Sequence, residues 1–147
     1  MTIKQVSVFI ENSPGTLAKV TRLLADKGFD LLALTLADTE RFGILRCLVK
    51  RPDEAVKALT EAGFTSRITE VLAALVPDQP GGLAVVLEAL REQNISLEYC
   101  YSFARSIDSD GGNGAAIVFR VENVGGAVTA LKDSGVILID SVRLDNL

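Results

Sequence analysis

The chain has 147 residues, the size of one ordinary domain or two very small ones, and long enough to bury about 68% of its unfolded surface without help from metals or disulfides. Hydrophobic residues make up 48% and charged residues 23%, which is globular composition and excludes disorder. The net charge of −4 and the lack of any Lys/Arg run argue against nucleic acid as a partner, since a phosphate backbone would be repelled.

In chain order, Ile3–Glu11 alternates, with Val6, Val8 and Ile10 on one side, and reads as a strand. Asn12-Ser13-Pro14-Gly15 is a turn whose Asn or Ser is suited to cap a helix, and Leu17, Val20, Leu23 and Leu24 recur at helical spacing until Gly28. Strands are expected over Phe29–Ala37 and Gly43–Lys50. Within the first of these, Leu32, Leu34 and Leu36 should point away from Phe29, Leu31 and Ala33, so that the sheet is buried on both faces by the sister copy or a second chain. Pro52 opens a helix carrying Ala55, Val56 and Leu59 until Gly63, and Thr65–Thr69 returns as a fourth strand.

The order then repeats. With a shift of 66 residues, Pro14, Gly15, Leu17, Ala18, Val20 and Leu24 fall on Pro80, Gly81, Leu83, Ala84, Val86 and Leu90. With a shift of 72, residues 55–59 (AVKAL) meet 127–131 (AVTAL), and Gly63 meets Gly135. The second copy reads as strand Val71–Val76, helix Gly82–Gln93, strands Ile95–Ala104 and Ala115–Val121, helix Val124–Ser134 and strand Val136–Leu144. Its extra residues fall in 105–114 (RSIDSDGGNG), the composition of a longer, mobile hairpin tip.

Each copy is therefore βαββαβ, and the chain divides into units 1–70 and 71–147. Right-handed crossovers place both helices of such a unit on one face of a four-stranded antiparallel sheet, so the fold class is α+β with two ferredoxin-like units.

Histidine is absent, which removes His-based triads, His general bases and most zinc or iron sites; no metal or cofactor is implied. Cys47 and Cys100 are isolated in apolar runs and read as buried thiols, the alternative being a reactive or metal-binding role. The chain begins MTIKQVSVFIENSPG, an alternating and early acidic pattern rather than a signal sequence, and no apolar window is long enough for a membrane span. A cytoplasmic protein without membrane contact is expected.

Two such units, each with a strand running into Asn-Ser-Pro-Gly-Thr-Leu or Asp-Gln-Pro-Gly-Gly-Leu and then an amphipathic helix, resemble tandem ACT domains over nearly the whole chain. The resemblance implies a small regulatory module that binds an amino acid, associates side by side through its sheets, and acts on an enzyme of amino acid metabolism. The candidate ligand-binding residues are Asn12, Ser13, Pro14, Gly15, Thr16 and Leu17 in the first turn, and Asp78, Gln79, Pro80, Gly81, Gly82 and Leu83 in the second. Unpaired amides at a helix start favour a carboxylate, while Asn12 and Asp78 offer oxygens for an ammonium or, alternatively, helix N-caps. Binding members of the family commonly carry Asn at the start of the second strand; this chain has Asp30 and Ser96 there.

Glu98 alternates with Tyr99 and Tyr101, which should join Ile95, Leu97 and Phe103 in the core, leaving Glu98 on the other face with Cys100. A carboxylate there needs a partner, a ligand ammonium being one candidate. Three other classes compete for the same residues. An acylphosphatase-like enzyme needs an Arg in the first strand-to-helix loop, and neither NSPGT nor DQPGG has one, so no catalytic residue is assigned. An RNA-binding sheet needs stacking aromatics and basic residues where this chain has GILRCLVK and AAIVFRV. A ligand-free assembly module contacting an enzyme through its sheet face stays open, and a homodimer is the expected assembly.

Overall fold

The computed structural model describes residues 1–104, 107–109 and 112–146. Two compact units emerge, one of Lys4–Thr69 and one of Glu70–Leu147 together with Met1–Ile3. The first contains β1 (Ile3–Glu11), α1 (Thr16–Asp26), β2 (Ala33–Asp38), β3 (Phe42–Leu48), α2 (Pro52–Glu61) and the start of β4 (Thr65–Pro77). The second continues β4 and adds α3 (Gly82–Glu92), β5 (Leu97–Ser102), β6 (Ile107–Ser109), β7 (Gly112–Val121), α4 (Val124–Asp133), β8 (Ile137–Ile139) and α5 (Ser141–Asp145).

Strand order is β2-β3-β1-β4 in the first unit and β8-β4-β7-β5 in the second, the ferredoxin-like order in both, with the β1–β3, β2–β3, β4–β7, β4–β8 and β5–β7 pairs antiparallel. In the first, Val6, Val8 and Ile10 of β1 and Leu45 and Cys47 of β3 pack beneath Val20 and Leu24 of α1 and Ala55 and Leu59 of α2. In the second, Leu72, Ala74, Val76 and Phe119 lie beneath Val86, Leu90, Ala127 and Leu131. Burying such aliphatic side chains contributes about 1.5–3 kcal/mol each. Helix ends follow the sequence punctuation: the chain turns left-handed at Gly28, Gly63 and Gly135 (φ 77°, 90° and 74°), and Asn94 (φ 54°) takes the place that Gly28 holds in the first copy.

Several expectations need correction. Thr65–Thr69 and Val71–Val76 are not separate strands but one 13-residue strand, since no Gly, Pro or Asn interrupts the β-formers between them. Val136–Leu144 is a strand only over Ile137–Ile139; Asp140 then caps α5, its Oδ1 accepting from the amide of Arg143 at 2.9 Å.

The second strand of each copy also starts late and shifts parity. Leu34 and Leu36 pair with Cys47 and Leu45, so they face the helix side near the sheet edge, 41% and 44% exposed, while Leu32 is buried. The residues facing away are Ala33, Thr35 and Ala37, and on that face Gln5, Ser7, Ala33 and Leu48 are buried. In β5 the ladder slips between Leu97 and Tyr99, a bulge at Glu98. Ile95 and Leu97 therefore join the helix-side core, whereas Tyr101 pairs with Val118 on the opposite face and Cys100 is exposed rather than buried. The paired arm extends through Ile107–Ser109 against Gly112–Gly114; Arg105, Ser106, Asp110 and Gly111 of the expected mobile tip lie outside the described residues.

Candidate functional site

Both strand-to-helix turns have one backbone design. In the first, the Ser13 amide donates to Glu11 O (2.9 Å), Thr16 to Ser13 O (3.3 Å) and Lys19 to Gly15 O (3.0 Å); in the second, Gln79 donates to Pro77 O (2.9 Å), Gly82 to Gln79 O (3.0 Å) and Val85 to Gly81 O (3.2 Å). Gly15 and Gly81 are the N-cap residues of α1 and α3, left-handed at φ 84° and 87°, a conformation that glycine adopts at no steric cost. A glycine N-cap carries no capping oxygen. The second and third amides of each helix, Leu17 and Ala18 or Leu83 and Ala84, have no acceptor one helical turn earlier and point along the positive end of the helix dipole.

Asn12 and Ser13 accordingly do not cap α1. Asn12 Nδ2 donates to Asp38 Oδ2 (3.2 Å), its amide donates to Arg41 O (2.9 Å), and Ser13 Oγ bonds Thr16 Oγ1 (2.7 Å). Asp78 and Gln79 supply no cap to α3 either. Gly82 is buried, and a Cβ there would collide with the carbonyl oxygen of Pro77, so the second turn folds more tightly than a side chain would allow. Above Gly81 a Cβ would meet nothing within 4 Å.

Each turn borders a cleft, and the two clefts are equivalent position by position. The first, about 400 Å³, is lined by Phe9, Ile10, Glu11, Thr16, Phe42, Gly63, Phe64 and Thr65. The second, about 600 Å³, includes Leu75, Val76, Pro77, Gly82, Gly114, Gly135, Val136 and Ile137 at the matching places, together with Asp78, Gln79, Pro80, Gly81, Val85, Val86 and Ser134. The shift of 66 relates the first strand and turn, and that of 72 relates the hairpin and the second helix end, as in the sequence.

Of the sequence-derived residues, Asp78, Gln79, Pro80, Gly81 and Gly82 line the second cleft and Thr16 the first. Asn12, Ser13, Pro14 and Gly15 form the first turn without lining its cleft, and Leu17 and Leu83 stand in the first turns of their helices. Three residues fall elsewhere. Asp30 is exposed on the irregular segment before β2, and Ser96 borders a groove at the end of α3 with Leu90, Arg91 and Asn94. Glu98 has a protein partner, Arg120, whose Nε lies 3.4 Å from Oε2 and whose guanidinium also donates to Glu70 O (2.8 Å). Sequence reading missed Val85, Gly114 and Val136. The Gly63–Gly135 match was a pointer to the cleft rim, because these glycines end the helices that close each cleft.

Neither thiol belongs to these clefts. Cys47 is fully buried, and desolvation pushes its pKa from the ordinary 9.0 up to about 12. Among the described residues no three acidic or thiol side chains gather as a metal site, and no helix is long and apolar enough to cross a membrane.

The paired turns and repeated sheet order define a tandem ferredoxin-like architecture, and the chain belongs to the ACT domain pair family, whose model matches residues 1–144. Protein BT0572 from Bacteroides thetaiotaomicron is 39% identical over 100% of this chain and 98% of its own, with a TM-score of 0.90. The regulatory subunit of aspartate kinase from Thermus thermophilus shares the fold at 17% identity, with a TM-score of 0.60 over 89% of this chain and 91% of its own. A probable acetolactate synthase small subunit from Archaeoglobus fulgidus is 31% identical over 72 residues, and the match spans 45% of each chain.

Proposed function

We propose that this chain is a non-catalytic regulatory protein of the cytoplasm that senses a free amino acid, with units 1–70 and 71–147 each serving as one ACT domain. The observation that carries this reading is the glycine-capped turn beside a cleft, built twice with the same hydrogen bonds. Free amides at a helix start hold a carboxylate, and Asp78, which lines the second cleft, offers oxygens for the ammonium, with Asn12 at the matching place of the first turn. The relative named as a small subunit of acetolactate synthase supports an enzyme of amino acid metabolism as the partner that reads out the bound state.

The test is recognition of both charged ends. A charge-assisted hydrogen bond contributes about 1.5–3 kcal/mol, so the decarboxylated and N-acetylated analogues of the best-binding amino acid should each bind about tenfold more weakly or worse. Calorimetry on the full chain measures this, after thermal-shift screening in which ligand at about 100 times Kd adds about 2.7 kcal/mol. Equal affinity for all three compounds refutes zwitterion recognition. If no amino acid raises Tm at millimolar concentration, the ligand-free assembly module replaces the sensor.

A further inference from the structure

The two clefts are equivalent in construction and unequal in content. Phe9, Phe42 and Phe64 crowd the first; at the matching places the second has Leu75, Gly114 and Val136, and its volume rises from about 400 to about 600 Å³. At the rim, Val85 and Ile137 stand where the first copy has Lys19 and Thr65, and they are 54% and 52% exposed. Among the residues lining the second cleft, Asp78 carries the only charge and there is no cation. Two exposed aliphatic side chains over a concave aliphatic wall form a surface that water solvates poorly and that an apolar group would cover.

We propose that the second unit holds the competent site of the pair and that it selects an amino acid with an aliphatic side chain. The inference rests on the reading of the ligand as a free amino acid. In that reading Asp78 serves the ligand's ammonium, so a charged ligand side chain would be taken from water against Leu75, Val85, Val136 and Ile137 with no group left to pair with it. An aliphatic side chain instead buries its own surface and that of the rim. The first cleft is narrowed by the phenyl rings of Phe9, Phe42 and Phe64, and Lys19, the counterpart of Val85, is not among the residues that line it, so no aliphatic side chain answers Val85 there.

Calorimetry on the full chain with leucine, isoleucine, valine, aspartate and lysine reads the side-chain class, and the aliphatic ligands should bind at least about tenfold more tightly than the charged ones. Gly114→Phe and Val85→Lys copy residues that the first unit already accommodates at the same places, and each should weaken aliphatic binding by about tenfold or more. Thr65→Lys, in the first cleft, should leave affinity within about twofold.

Tighter binding of aspartate or lysine overturns the side-chain class while leaving the amino-acid reading intact. Loss in Thr65→Lys with retention in Val85→Lys overturns the assignment to the second unit. Absence of binding by any amino acid overturns the underlying reading and this inference with it. Should circular dichroism show Gly114→Phe unfolded, Val85→Lys decides alone, its site being exposed on the surface of α3.

Discussion

Cys47 and Cys100 look alike in sequence, each alone in an apolar stretch, and the fold makes them chemical opposites. Cys47 sits under the helices of the first unit, and burial raises its pKa to about 12. A raised thiol pKa leaves almost no thiolate at pH 8 and removes the nucleophile. By linkage, the stability associated with the neutral thiol is fully present below 9.0 and is lost as pH rises toward about 12. Cys100 is exposed because it stands on β5, an edge strand, where it pairs with Phe119 as Leu34, 41% exposed, pairs with Cys47 at the same place in the first unit. Iodoacetamide at pH 8 should therefore add one adduct to the folded chain, at Cys100, and two after denaturation; mass spectrometry showing rapid modification of native Cys47 would contradict its burial. Alternation in LEYCYS cannot reveal this difference, since it does not tell an edge strand from a central one.

At the scale of elements, the helices fall into two groups by how they begin. Asn123 caps α4, its Oδ1 accepting from the amide of Gly126 at 3.0 Å, and Asp140 caps α5. The helix α2 uses Pro52 at its first position with Asp53 and Glu54 behind it. Among the described residues, only α1 and α3 start at a left-handed glycine with no capping side chain. Asn123→Ala should consequently lower stability by about 1 kcal/mol, read as a lower urea midpoint at unchanged slope. Asp78→Ala should leave that midpoint nearly unmoved while weakening amino acid binding, because its carboxylate caps nothing. A shared loss of stability in both variants would make Asp78 a structural residue and remove it from the site. The sequence signals for these starts were legible in part: Pro-Gly marked both turns, yet Asn12 and Asp78 resembled caps equally well. Only the backbone, with glycine at the N-cap itself, separates the two roles. The C-terminal end was less legible, since Val136–Leu144 alternates like a strand and only the side chain of Asp140 converts its second half to a helix.

For the whole molecule, the duplication was readable because the same physical demands recur at fixed spacing: a left-handed residue where a helix ends, a glycine where a turn reverses, aliphatic side chains under the helices. What self-comparison does not reveal is which surfaces stay open, because that depends on the sheet edges. In the first unit β2 lies at the edge of the strand order and exposes Leu34 and Leu36, with Phe42 of β3 57% exposed nearby. Such an edge, apolar and carrying unpaired amides and carbonyls, is a template for another strand. Antiparallel pairing of two β2 strands is self-complementary, so one two-fold axis would cover both copies of Leu34 and Leu36 at once. A homodimer at micromolar concentration is the expected outcome in sedimentation velocity. Leu34→Asp combined with Leu36→Asp should yield monomer while retaining the circular dichroism of the parent, because both side chains are more than a third exposed and their replacement opens no cavity. A parent that sediments as monomer throughout would refute the homodimer, and a dimer indifferent to both substitutions would move the interface away from β2.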